Sequence, residues 1–298
     1  MTTKSQHASH TAAALLEAVR PRQFTKNLFV FAAPLFAGQF LHPTPMFRGL
    51  EAFVVFCCTA GATYLLNDIL DREADGQHPR KRDRPIASGR LSVVTAASAG
   101  GILLLAGLGL AAVVSLQLLM VTAAYAVLQS LYCIWMKHVP VLDVFLLATG
   151  FVLRAVAGGA AAALPISPWL LLCTFVLALF LGFGKRRQEL VSLGDDAASH
   201  RRNLDEYSLP FLDHAITMTS TLSVIAYAVY SIESATAQRH PGLWISTLLV
   251  LFGVCRYLWL VYHKGQGGAP DELLLTDRVL QLDTLAWLIT VGLVLRGV

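Results

Sequence analysis

Charge is scarce in this chain. Only 14% of its 298 residues are Asp, Glu, Lys or Arg, against about a quarter in soluble domains, which argues against an ordinary water-facing fold. Cysteine offers no framework either. Cys57, Cys58, Cys133, Cys173 and Cys255 all fall in apolar stretches, the adjacent pair makes a poor disulfide, and none has metal-ligand spacing with a histidine. They read as small buried hydrophobes. The nine histidines are scattered without a paired ligand motif. No cleavable signal peptide is expected, because residues 1–12 are polar and Arg20, Arg22 and Lys26 precede the first apolar stretch.

What the chain has instead is apolar length. Hydrophobic residues make up 55% of it, and several stretches approach the roughly 20 residues that cross a bilayer. Nine spans are expected, at about 28–46, 49–67, 92–113, 116–135, 140–162, 168–184, 212–232, 243–262 and 279–296. The fold class is therefore all-α, a polytopic membrane helical bundle with a polar cap on its cytoplasmic side. Residues 1–12 read as a mobile tail and 13–298 as one transmembrane domain. With the N-terminus inside, 18 Lys and Arg fall on cytoplasmic segments and 3 on the opposite side, which satisfies the positive-inside rule. The net charge of +4 then reports topology and gives no reason to invoke nucleic acid. Three long inward loops, at 68–91, 185–211 and 263–278, mix both charge signs, whereas outward connections such as Leu164-Pro165-Ile166-Ser167-Pro168 are short and nearly uncharged.

The first long loop carries Asn67-Asp68-Ile69-Leu70-Asp71-Arg72-Glu73-Ala74-Asp75, followed by Arg80-Lys81-Arg82-Asp83-Arg84. Carboxylates near a bilayer are costly and need partners. On a helix, Asp68, Asp71 and Asp75 would share one face and line up over roughly 10 Å. That size suits one or two Mg²⁺ ions bridging to a diphosphate, since Mg²⁺ keeps several waters and takes one or two carboxylates plus substrate phosphate. The competing reading is a solvated loop of mixed charge; the repeated spacing of Asn67, Asp71 and Asp75 favours the metal site.

These residues resemble the first aspartate motif of the UbiA superfamily of intramembrane prenyltransferases. Arg20-Pro21-Arg22-Gln23, Arg84-Pro85-Ile86-Ala87-Ser88-Gly89 and Gly150-Phe151-Val152-Leu153-Arg154 extend the likeness along the chain. After the sixth expected span the pattern departs: Gly184-Lys185-Arg186-Arg187-Gln188-Glu189 stands where aromatic-substrate members carry a second Asp-x-x-x-Asp motif, and Asp195-Asp196 lack that spacing. With Arg22-Gln23-Phe24-Thr25-Lys26-Asn27, the run from Arg202 through Leu204 and Tyr207 to Phe211-Leu212, and Ala269-Pro270-Asp271-Glu272-Leu273 before Thr276-Asp277-Arg278, the chain is similar to the decaprenyl-phosphate phosphoribosyltransferase branch.

The resemblance implies a nine-helix bundle in the bacterial plasma membrane, with Mg²⁺ as cofactor and phosphoribosyl diphosphate and a polyprenyl phosphate as substrates. It also implies a place in arabinose-lipid-donor and cell-envelope glycan synthesis, and leaves room for a homo-oligomer. Metal ligands would be Asp68, Asp71, Asp75 and Asn67. Lys185 and Arg186 would hold the 5-phosphate or lipid phosphate, with Arg22 and Lys26 at the acceptor phosphate. Lys81, Arg82 and Arg84 would meet phosphate oxygens, although positive-inside topology also explains them. Tyr64, Arg154, Arg202 and Tyr207 complete the substrate-binding candidates; Arg154 alternatively pairs with a helix carbonyl, and Tyr64 alternatively packs in the bundle. The lipid phosphate is already a competent nucleophile, so leaving-group stabilisation and alignment carry the reaction rather than a strong base. Two alternatives stand beside this reading: prenyl transfer to an aromatic ring of the 4-hydroxybenzoate type, and, more remotely, an ion-coupled transporter.

Overall fold

The structure is a computed structural model that describes residues 2–77, 79, 81–193, 204, 206–265, 273 and 276–297. The chain begins with α1 (Thr2–Val19), a 3-10 segment (Pro21–Phe31) and the short α2 (Ala32–Phe36). Then follow α3 (Pro43–Leu70), α4 (Arg72–Gln77), α5 (Val93–Val114), α6 (Leu116–Ile134), a 3-10 turn (Met136–His138), α7 (Leu142–Ala162) and α8 (Pro168–Leu193). The remainder is α9 (Leu209–Glu233), α10 (Ala235–Arg239), a 3-10 segment (Pro241–Ile245), α11 (Ser246–His263) and α12 (Arg278–Arg296).

Eight helices among the described residues are long and apolar enough to cross a membrane, and they match eight of the nine expected spans. The first expectation, 28–46, is met differently: it divides into the end of the first 3-10 segment, five residues of α2, a turn through Gly38 at φ 71, and the start of α3 at Pro43. Pro34, Gly38 and Pro43 break what hydropathy alone reads as one run. Residues 2–12, expected as a tail, lie in α1.

Local chemistry sets the helix ends. Ser92, Ser115, Ser208 and Asp277 cap α5, α6, α9 and α12, each side chain accepting a backbone N–H three residues on. The apolar surfaces left outward, such as Leu105 and Val113 on α5, are what lipid covers in a helix that is hydrophobic all round.

α7 ties the bundle together. Its first turns, through Val144 and Ala148, pack with Phe180, Leu212, Ile216 and Tyr257 of the second half. Its later turns, through Ala157 and Ala161, pack with Val55, Phe56, Leu118 and Tyr125 of the first half. Glycine lets two neighbours come very close: a Cβ on Gly158 would lie 1.7 Å from the Val30 carbonyl oxygen, and one on Gly107 would lie 2.7 Å from the Thr59 hydroxyl. Small residues here serve close packing. Of the cysteines, Cys133 is buried as expected, Cys57, Cys58 and Cys173 are only half-buried, and Cys255 faces outward against the expectation.

Candidate active site

The sequence motif does not form one helical face. α3 ends at Leu70, Asp71 caps it with its N–H on the Asn67 carbonyl, and Asp75 sits in the separate helix α4. The single-face expectation is thereby corrected: the helix breaks at Asp71, whose φ −90 and ψ 3 leave the helical region. Each carboxylate turns to basic side chains from elsewhere in the chain, and Arg84 serves two of them.

Asp68, 2% exposed, accepts from Arg20 at 2.5 Å and from Arg84 Nη1 at 3.2 Å. The same Nη1 reaches Asp75 Oδ2 at 2.6 Å, so Arg84 bridges two aspartates. Asp71 takes Lys137 at 2.5 Å, and that ammonium also lies 3.3 Å from the Asn67 amide oxygen. Lys137 itself is buried, which only such partners make tolerable. Burial pushes the Asp75 carboxyl above the usual carboxylate range, against the opposing pull of Arg84 and Lys81.

The backbone supports this arrangement from two sides. Arg20 stands between α1 and Pro21 in the left-handed region, φ 57 and ψ 62, with its guanidinium 5.4 Å from the centre of the Tyr64 ring. Arg84 opens a run of turns closed by the Leu91 N–H on the Pro85 carbonyl and by Gly89 at φ 77. Arg90 pins that run to α1 through both oxygens of Glu17 at 2.8 and 2.9 Å, which holds the Glu17 carboxyl below its usual range.

The remaining candidates sort by what they touch. Arg22 and Arg82 are exposed, Lys81 is half-buried near Asp75, and Lys26 donates to Gln23. Arg154 directs its donors inward, Nε to Asn27 at 2.9 Å, Nη1 to the Gly150 carbonyl at 2.8 Å and Nη2 to the Tyr125 hydroxyl at 2.8 Å. It therefore ties α6, α7 and the first 3-10 segment together, and the helix-carbonyl alternative describes it rather than substrate contact. The basic run on α8 is charge-matched as well. Arg186, 2% exposed, donates Nε to Asp143 at 2.7 Å and Nη1 to Glu189 at 2.5 Å. Arg187 donates to Asp213 at 2.6 Å, and Lys185, the most open of the three, faces Glu189 at 4.0 Å. Tyr207 donates to the other oxygen of Asp143 at 2.8 Å. Arg202, and with it Asp195 and Asp196, lies outside the described residues.

Sequence reasoning located the aspartates, Asn67, Arg84 and the basic run but missed Arg20, Lys137 and Asp143 as members of the site. Lys137 carried a signal that could have found it: a single lysine in a short connection between two apolar spans needs a carboxylate if it is not in water.

The donor set fits Mg²⁺ in kind, being carboxylate and amide oxygens. Among the described residues no three His, Cys, Asp or Glu side chains are gathered as a ready metal shell. Mg²⁺ does not demand one, since one or two carboxylates with water and substrate phosphate suffice.

The chain is similar to known proteins over most of its length. Residues 28–274 match the family described as the UbiA prenyltransferase family. The chain is 39% identical over 290 residues to a decaprenyl-phosphate phosphoribosyltransferase of Corynebacterium glutamicum, covering 95% of this chain and 87% of that one. It is 37% identical to the protein of that name from Mycolicibacterium smegmatis, covering 93% and 91%. In fold it is similar to a UbiA homologue from Archaeoglobus fulgidus solved with DMAPP and Mg²⁺, with a TM-score of 0.73, 16% identity, and 95% and 99% of the two chains covered. An integral membrane bundle with a capped aspartate motif at one end, matched over most of its length, is an enzyme of known kin: the chain belongs to the UbiA prenyltransferase family.

Proposed function

We propose that this protein transfers a 5-phosphoribosyl group from phosphoribosyl diphosphate to a polyprenyl phosphate, with release of diphosphate, and that it works at the cytoplasmic face of the bacterial plasma membrane. The observation that carries the reading is similarity at 37–39% identity over nearly the whole chain to relatives named decaprenyl-phosphate phosphoribosyltransferases. The geometry supports it in one respect especially. Where the aromatic branch has a second acidic motif, Lys185, Arg186 and Arg187 stand, matched by Asp143, Glu189 and Asp213.

The residues present divide the work. Asp68, Asp71, Asp75 and Asn67 would hold Mg²⁺, which supplies neutralisation of charge on the leaving diphosphate. Arg20, Arg84 and Lys137 now neutralise those carboxylates. In the proposed reaction these cations would donate charge-assisted hydrogen bonds to the donor's diphosphate. Lys185, with Arg22 and Arg82 in the open, would meet the 5-phosphate or the lipid phosphate. No side chain needs to act as a strong base, because the acceptor phosphate arrives ionised. Alignment of two anionic substrates and stabilisation of leaving charge therefore supply the rate.

Purified protein, radiolabelled phosphoribosyl diphosphate and a polyprenyl phosphate test the reading directly. Label should pass into the organic phase, stop with chelator and resume with Mg²⁺. Efficient prenylation of 4-hydroxybenzoate by a polyprenyl diphosphate, with no transfer from the ribosyl donor, would replace it.

A further inference from the structure

A strained turn lies between the two charged clusters. The Leu142 N–H donates to the Pro140 carbonyl at 2.7 Å and closes a γ-turn centred on Val141, at φ 67 and ψ −49. A γ-turn of this hand is rare, and a β-branched residue at positive φ is worse still. Tyr207 holds the turn. Its hydroxyl accepts the Val141 N–H at 2.5 Å and donates to Asp143 Oδ1 at 2.8 Å. Asp143, fully buried, accepts Arg186 Nε on its other oxygen at 2.7 Å.

The same connection reaches the aspartate motif. Lys137, four residues before Val141, sits on Asp71 and Asn67. One short segment, 137–143, therefore touches the aspartates with its first residue and the basic run of α8 with its last. α7, which it leads into, packs against both α3 and α8. Buried ion pairs are poor sources of stability, since desolvation takes back most of what the attraction gives. Backbone strain persists only where its surroundings impose it, and it gathers at working sites. Burial, strain and a shared hydroxyl at one point exceed what joining α6 to α7 requires.

We propose that Asp143 is a positioning residue for the transfer reaction: with Tyr207 and the turn at Val141 it fixes Arg186, and through the turn it sets Lys137 at the aspartate motif. The inference rests on the reading under Proposed function and extends it to residues that do not touch substrate. Its consequence is selective. Loosening Asp143 shifts Lys137, which the proposed reaction sets against the donor's diphosphate, more than the more exposed Lys185, Arg22 and Arg82.

The test uses the full chain in lipid nanodiscs and compares Michaelis constants for the two substrates separately. Tyr207→Phe removes one hydroxyl and keeps the ring; it should raise KM for phosphoribosyl diphosphate about 10-fold, with KM for the polyprenyl phosphate within about 2-fold of wild type. Asp143→Asn keeps the shape and removes the charge, and should widen the same split; if it fails to fold, Tyr207→Phe decides alone. A structural role would instead lower the fraction of active enzyme, reducing kcat with both constants unmoved. That result overturns the inference, and so does a parallel rise in both constants. A wild type that takes no label from phosphoribosyl diphosphate overturns the functional reading and this inference with it; a transferring wild type beside an unaffected Tyr207→Phe overturns this inference alone.

Discussion

Arg84 serves two carboxylates through one nitrogen, at 3.2 Å from Asp68 and 2.6 Å from Asp75. Removing it leaves both acids buried without their shared cation. Arg84→Ala should therefore destabilise the fold by about 1–3 kcal/mol once the partial exposure of Arg84 is discounted, read as a lower thermal midpoint. Added Mg²⁺ should restore more of that loss in the variant than it adds to wild type, and a fluorescence melt with and without the ion reads the difference. In the proposed reaction, Asp68→Asn and Asp71→Asn should each cut label transfer at least about 100-fold, with the protein still inserted and monodisperse. Normal turnover in either would remove these residues from the site. At this scale the sequence was legible where the cost of a residue is local: three carboxylates at the end of an apolar run announce themselves. It was not legible for Arg20, Lys137 and Asp143, whose partners lie 48, 66 and 43 residues away. Nothing in the spacing of one segment tells which distant side chain will neutralise it.

Helices and their joints make up the next scale. Asp277 caps α12 by accepting the Leu280 N–H at 2.9 Å and pairs with Arg256 at 2.7 Å, which holds its carboxyl below the usual range. Asp277→Ala should destabilise by about 1–2 kcal/mol, a fall of about 2–4 °C for each kcal/mol in a chain of this size. The pH dependence has a fixed sign. A depressed carboxyl stabilises the fold above its unfolded pKa, and that contribution fades as pH drops through the folded one, so wild type and Asp277→Ala should converge in acid. Gly158→Ala is the sharper structural test, since its Cβ would meet the Val30 carbonyl oxygen at 1.7 Å. Backbone must move there, and a loss of about 1–3 kcal/mol is expected from overpacking, read as reduced yield and a lower melt. Eight helices were legible because twenty apolar residues have few alternatives in a membrane. The break within 28–46 was harder to read, because hydropathy sums residues while Pro34, Gly38 and Pro43 act through backbone geometry. The division of the aspartates between α3 and α4 was hidden for the same kind of reason: periodicity assumes an unbroken helix, and the backbone here leaves it at Asp71.

Over the whole molecule, the described ion pairs of the two clusters gather at one end of the bundle, where α3, α6 and α8 finish and α7 and α9 begin. In the proposed orientation that end faces the cytosol. Single cysteines at Gln77 and Lys264, in a background without the native five, should react with a membrane-impermeant thiol reagent only when it is supplied from the inner face. Labelling of both from outside would invert the orientation and deprive a water-soluble donor of its approach.

The contact of Val30 with Gly158 bears on how a long lipid gets in. Where a carbonyl fills the space of a missing Cβ, two backbones are already touching, and no rotamer change can open a gap between them. The seam between the first 3-10 segment and α7 is in that sense welded. Arg154, reaching Asn27 across it, adds a rivet. A polyprenyl chain threading sideways toward the aspartates must therefore use a seam lined by movable side chains, and this wall of the bundle behaves as the fixed jamb against which any such door swings.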